Sequence, residues 1–253
     1  NSNQKFNDVL IKAQKLGYAE PGNPKLDLNG FDAFAKVRIL SSLAFNCKIS
    51  KHKYLIEGID KIDLKDIKIA NQLDLRIKLL GISELKNGNL FETVHPCLVS
   101  KRSYIGNVSG VMNAVILEGK PVGESILQGE GAGPGPTSSA LLSDLLSILR
   151  GNIKKPLGVS VKKLKLLKPY NVNNYINSLY LRFEVKDRPG VAASIFKPLS
   201  INSINVDMVV QNISANGKET DLTFTIKTDD LNKTKRIIKE NKKINFRKIL
   251  FKK

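Results

Sequence analysis

Residues 16–36, LGYAEPGNPKLDLNGFDAFAK, gather Glu20, Asp27, Asp32 and Lys36 in one short span punctuated by Gly17, Gly22 and Gly30. Carboxylates so placed can hold an ammonium group, and an amine among them can move a proton. Oxidising an alcohol to a carbonyl requires a group that takes the hydroxyl proton as hydride leaves, and the reverse reaction needs an acid at the carbonyl oxygen. A lysine held among carboxylates and partly desolvated suits either task. Asp32 and Lys36 stand four apart and share a face if the segment is helical, a spacing that also makes an ordinary surface ion pair worth roughly 0.2–0.5 kcal/mol. Glu20 and Asp27, in the loop just before that helix, set this pair apart from the ordinary case.

Two other segments carry chemistry. Residues 128–136, QGEGAGPGP, read as a glycine-rich loop running into a helix over TSSALLSDLLSILR. Successive glycines let backbone N–H groups approach a ligand, and the start of the helix favours an anion. The spacing is not a GxGxxG after an N-terminal strand, so by itself it defines no dinucleotide fold. The turn Asp187-Arg188-Pro189-Gly190 offers backbone groups at another helix start. Cys47 and Cys97 form no CxxC pair, and neither a zinc site nor a disulfide framework is expected.

The elements around these residues follow from periodicity. Residues 4–16 carry a helical pattern that ends at Gly17. A second helix spans about 31–47, with Asp27 and Asn29 as candidate caps. A short strand is expected in 53–59, then a helix over LKDIKIANQLD. From 75 to 117 the chain reads as strands, with Asn87-Gly88 as a hairpin turn. Residues 153–178 are basic, contain Pro156 and Pro169, and read as a linker. Beyond them SLYLRFEV, VAASIFKPLSIN, INVDMVVQNIS, TDLTFTIK and DDLNKTKRIIKE give a βαββα pattern, with a further turn at Asn216-Gly217. The expected fold is α+β: a mixed-sheet domain over 1–152, a linker over 153–178, and a ferredoxin-like βαββα module over 179–253.

The ordered words LGYAE, DLNGFDAFAK, KYLIEGI, RIKLLGI, VHPCLV, NVSGVMNAVIL and GEGAGPGPTSSALLSDLL resemble homoserine dehydrogenase from residue 1 to about 152. The resemblance implies that Lys36 transfers the proton, with Asp32 beside it, and that Glu20, Asp27 and Asp32 surround the amino and hydroxyl groups of the substrate. It implies that Gly131, Gly133 and Thr137 touch a nicotinamide cofactor, NAD or NADP. Most cofactor affinity would come from a preceding Rossmann domain with no counterpart in these residues, so the chain is expected to be part of a longer protein and inactive alone. The C-terminal pattern resembles an ACT domain, its later strands closer to the module of aspartokinase. This implies an amino-acid effector, threonine or lysine, bound near Asp187, Arg188 and Gly190, and a homo-oligomer. A non-catalytic amino-acid-sensing protein is the competing reading.

The composition bounds these readings. A chain of 253 residues with 42% hydrophobic content can bury a core. No apolar run reaches the roughly 18–20 residues that span a bilayer, and the cysteines fit a reducing cytoplasm. The net charge of +18 invites nucleic acid, but the lysines are dispersed and no nucleic-acid motif accompanies them. Only residues 232–253 concentrate charge, with ten cations against one anion, and they read as a solvated helix face followed by a frayed end.

Overall fold

The structure is a computed structural model that describes residues 6–20, 22–49, 52, 54–152, 154–175, 177–213, 219–228, 230–240 and 245–252. The turn expected at Asn216-Gly217 lies outside the described residues. Helix α1 (Phe6–Lys15) leads through a loop and one helical turn, α2 (Lys25–Leu28), into α3 (Phe31–Phe45). Then come β1 (Leu55–Ile56), α4 (Leu64–Gln72), and the hairpin β2 (Leu75–Lys86) and β3 (Asn89–Ser100). Asn87 (φ 49°) and Gly88 (φ 74°) both take the left-handed conformation that a two-residue hairpin needs. The hairpin pairs over its whole length, from Leu75 with Ser100 to Lys86 with Asn89.

A short helix, α5 (Tyr104–Asn107), precedes a separate antiparallel pair, β4 (Met112–Gly119) and β5 (Gly123–Glu130). Helix α6 (Pro134–Leu149) follows. The glycine-rich stretch is therefore shorter than its composition implies. Gln128 to Glu130 belong to β5, and α6 begins at Pro134, three residues before Thr137. Proline at the first turn is the reason, since its fixed φ suits a helix start.

The C-terminal part comprises β6 (Asn177–Lys186), α7 (Val191–Ile201), β7 (Val206–Ile213), β8 (Glu219–Thr228), α8 (Leu231–Glu240) and β9 (Asn245–Lys252). Its strand order is β9-β6-β8-β7, antiparallel at every step, as in a ferredoxin-like sheet. The basic tail departs from the expected frayed end: its last segment is the fourth strand. β9 also pairs in parallel with β3, joining the two halves into one seven-stranded sheet. β2 holds one side of β3, while β1 and β9 share the other at different registers.

Because side chains alternate along a strand, β6 has two faces with different partners. Leu179, Leu181 and Phe183 enter an apolar core with Leu222, Phe224 and Ile226 of β8, Ile195 and Leu199 of α7, and Ile237 and Ile238 of α8. Cys97 and Val99 of β3 belong to the same core, so it runs across both halves. On the opposite face, Tyr180 packs against Ile69 and Ala70 of α4. Residues 154–175 are pinned along the first half. Lys48 donates its N–H to the Lys165 carbonyl (2.8 Å), Lys165 donates to the Asn46 carbonyl (3.0 Å), and Tyr175 stacks on Phe91 at 4.2 Å. No described helix is long and apolar enough to cross a membrane.

The segment after β1 seats the turn between α2 and α3. Ile59 donates its N–H to the Leu28 carbonyl (2.8 Å), and Glu57 donates to Val94 (2.8 Å). Gly58 lies so close to Leu28 that a Cβ there would stand 1.8 Å from its carbonyl oxygen. Gly58→Ala should therefore force the two backbones apart and destabilise the protein by about 1–3 kcal/mol. A urea midpoint equal to that of the wild type would refute this packing.

Candidate functional site

Helix α3 is placed by its contact with the hairpin. Gly81 of β2 leaves the space filled by Val37, whose Cγ2 would be 2.2 Å from a Cβ there, and Ser41 Oγ meets Ser83 Oγ at 2.6 Å. The start of α3 is not capped by Asp27 or Asn29. Gly30 occupies that position in a left-handed conformation (φ 81°), with Val94 Cγ1 3.1 Å from where a Cβ would be. A side-chain cap requires extended backbone at that residue, and the sharp turn from α2 into α3 excludes it. Asp27 is left to bond elsewhere.

The structure arranges the four residues as two pairs. Asp27 Oδ2 accepts the backbone N–H of Glu20 at 3.4 Å, which folds the loop back on itself, and Gln14 Nε2 donates to the Glu20 carbonyl at 2.8 Å. Asp32 Oδ2 lies 2.8 Å from Lys36 Nζ, with the lysine side chain 68% and the aspartate 47% exposed. The Glu20 and Asp27 residues are exposed as well. The acids and the amine thus sit on an open surface. A cleft of about 470 Å³ lies elsewhere, between α1, α4 and β2, lined by Phe6, Ile67, Leu75 and Lys78 among others, and none of the four residues lines it.

At the glycine loop, Thr137 Oγ1 donates to the Gly133 carbonyl at 2.8 Å, so its hydroxyl serves the helix itself. A Cβ on Gly131 would collide with Asn113 Nδ2 at 1.7 Å, whereas Gly135 is open on that side. Of the first three helix residues, Pro134 and Pro136 have no N–H and only Gly135 can donate. The helix start therefore offers few backbone donors to a phosphate. In the C-terminal half, Gly190 starts α7 with φ 85°, and Asp187 Oδ1 accepts from Gln211 Nε2 at 3.4 Å, tying the turn to β7.

Sequence reasoning did not single out Arg182, Asp63, Asp66, Asp221 or Lys65, which form the main charged cluster among the described residues. Arg182 is only 3% exposed, and its guanidinium donates to Asp66 Oδ1 (2.7 Å), to Asp63 Oδ2 (2.5 Å) and to Asp221 Oδ1 (3.3 Å). Lys65 bridges Glu184 (3.2 Å) and Asp221 (3.0 Å). The visible signal was an arginine within the apolar run SLYLRFEV, at a position that alternation assigns to one face of the strand. Burial acts to raise the Asp63 carboxyl, but the Asp66 N–H and Arg182 outweigh it and hold it below the usual carboxylate range. Asp66 is deeper, and burial pushes its carboxyl up despite Arg182.

These features define a class: an α+β domain whose sheet continues into a ferredoxin-like module. The comparisons give it a family. The family profile for homoserine dehydrogenase matches residues 1–146, and that of an ACT domain matches residues 184–241. The chain belongs to the homoserine dehydrogenase family. It is 37% identical over 212 residues to the homoserine dehydrogenase of Pseudomonas aeruginosa, covering 81% of this chain and 49% of that protein. With the Helicobacter pylori homoserine dehydrogenase it shares 36% identity, covering 88% of this chain and 52% of the relative. The crystal structure of a homoserine dehydrogenase from Thiobacillus denitrificans superposes with a TM-score of 0.84 at 32% identity, over 98% of this chain and 58% of that one. The chain thus spans about half the length of the curated relatives it matches.

The depressed Asp63 carboxyl gives a pH signature. Its contribution to stability is complete above the ordinary Asp value of about 4 and is lost as pH falls through the lower folded value. Asp63→Asn should make stability fall less steeply between about pH 5 and pH 2. Parallel curves of denaturant midpoint against pH for the two proteins would show the assignment to be wrong.

Proposed function

We propose that this chain is the substrate-binding, dimerisation and regulatory portion of an NAD(P)-dependent homoserine dehydrogenase that interconverts L-homoserine and L-aspartate 4-semialdehyde in amino-acid biosynthesis. The observation that carries the reading is the Asp32–Lys36 pair at 2.8 Å, on a helix whose start and preceding loop are seated by Gly30 and Gly58. In this reading Lys36 takes the hydroxyl proton of homoserine, or returns it to the carbonyl oxygen of the semialdehyde. Asp32 holds the Lys36 amine in place. Glu20 and Asp27 bind the substrate ammonium, for which their exposed carboxylates are chemically suited.

A nicotinamide cofactor, when bound, supplies or accepts the hydride. Gly131, Gly133 and Thr137 would form the edge of its site, and the single donor at Gly135 suits a carboxamide. Phosphate and ribose recognition belong to a nucleotide-binding portion, without which the chain would be inactive. Helix α6 supports this: it has no buried residue, and Leu141, Leu142, Leu145, Leu146, Ile148 and Leu149 are all exposed. The turn Asp187, Arg188 and Gly190 would receive the carboxylate of a threonine or lysine effector, in a homo-oligomer in which two modules pair.

The test is Lys36→Met in the protein carrying its nucleotide-binding portion, followed by nicotinamide absorbance. Loss of the proton relay should lower kcat by roughly 10²–10⁴-fold while cofactor affinity holds. Turnover within a few-fold of wild type would remove Lys36 from the chemistry.

A further inference from the structure

We propose that Arg182 is a positioning residue for the loop that carries Glu20 and Asp27 and for the start of α3, acting through the first turn of α4. The proposal rests on the functional reading above, which puts that loop at the substrate.

Arg182 belongs to the regulatory strand β6, yet its side chain is spent on the other half of the protein. Nε and Nη2 go to Asp66 and Asp63, and Nη1 to Asp221 on β8. Asp63 and Asp66 are also the two members of the capping box of α4: the Asp63 side chain accepts the Asp66 N–H at 2.9 Å, and the Asp66 side chain accepts the Asp63 N–H at 3.4 Å. The carboxylates that define where α4 begins are therefore the ones the guanidinium grips. Lys65, between them, adds contacts to Glu184 and Asp221.

From Asp63 back to the loop there is little slack. Ile62 donates its N–H to the Ile59 carbonyl (3.1 Å), and Ile59 donates to Leu28, the last residue of α2. Gly58 packs its backbone directly on Leu28 and Asn29, and Gly30 then starts α3. A displacement of the α4 start is thus passed to the Leu28 carbonyl through a short hydrogen-bonded turn. A planar, multidentate guanidinium fixes three elements relative to one another in a way a point charge or an apolar side chain does not. Buried ion clusters seldom add net stability over an apolar filling, so placement is the better account of this one. β6 ends at Lys186, directly before the Asp187–Gly190 turn.

The experiment is amide hydrogen exchange on the full chain for Arg182→Met, Lys65→Met and Leu199→Ala. Leu199→Ala loosens the core on the other face of the regulatory sheet and touches neither α4 nor the loop. Exchange at Ile59 and at the Gly30–Phe34 amides should rise roughly three- to tenfold in the Arg182 and Lys65 variants, as for mutations along a coupled network, and stay near wild type in Leu199→Ala. If Arg182→Met fails to fold because Asp66 is left unpaired, Arg182→Lys decides, since it keeps the charge and loses the fork that grips Asp63 and Asp66 together. Unchanged loop exchange in the folded variants, or an equal rise in Leu199→Ala, overturns the proposal. In the protein with its nucleotide-binding portion, Lys65→Met should raise KM for homoserine with kcat and cofactor KM nearly unchanged. A fall in kcat alone would also overturn it. Coupled exchange without any homoserine binding would instead sink the functional reading and leave the mechanical link standing.

Discussion

One buried guanidinium ties the molecule together. Arg182 reaches from the regulatory sheet to the capping carboxylates of α4, and with Lys65 it sets two cations among four carboxylates at the seam between the halves. Removing one partner from such a cluster leaves a buried charge uncompensated, which typically costs about 3–5 kcal/mol. The cluster is therefore a geometric constraint before it is a source of stability: α4 has one place to sit. Burial opposes ionisation of Asp66, and the permanent charge of Arg182 opposes that in turn. A carboxylate so placed tolerates little movement of its partner.

Lys36 and Asp32 are open to solvent, and an exposed i,i+4 pair by itself orders little. Their position comes from beneath. The loop from Leu28 to Gly30 rests on Ile56, Glu57 and Gly58, these rest on Val94 of β3, and β3 is the strand at which β2, β1 and β9 meet. The sheet runs on through β9 into the ACT module, so the open pair and the Asp187–Gly190 turn stand on one continuous hydrogen-bonded framework. The apolar face of α6 remains exposed in this chain, and the relatives it matches are about twice as long.

Much of the local structure was legible in the sequence. Asn87-Gly88 announced its hairpin because two adjacent residues with positive φ are needed there. Helices α1 and α3 followed from apolar spacing, with Gly17 as the stop of the first. The acid–lysine segment was visible because its residue types are rare in combination, and ordered words along 1–152 identified the family. Other features were not legible. The glycine-rich run was read as loop although Gln128 to Glu130 are strand, because their β4 partners and not their own propensity hold them extended. The last basic segment looked like a fraying end, yet it pairs with both β6 and β3.

The sequence by itself determined the family, the order of elements and the chemistry on offer at Glu20, Asp27, Asp32 and Lys36. Those depend on residue identity and short spacing, which a chain displays without folding. Tertiary structure alone decided that Asp27 turns back to the Glu20 backbone, that Gly58 is there for Leu28, and that Arg182 answers Asp63, Asp66 and Asp221. Arg182 lies more than a hundred residues from Asp63 and Asp66, and they become neighbours only when β6 and α4 are brought face to face. The interaction of charges depends on distance and on exclusion of water, and neither exists until the sheet has closed.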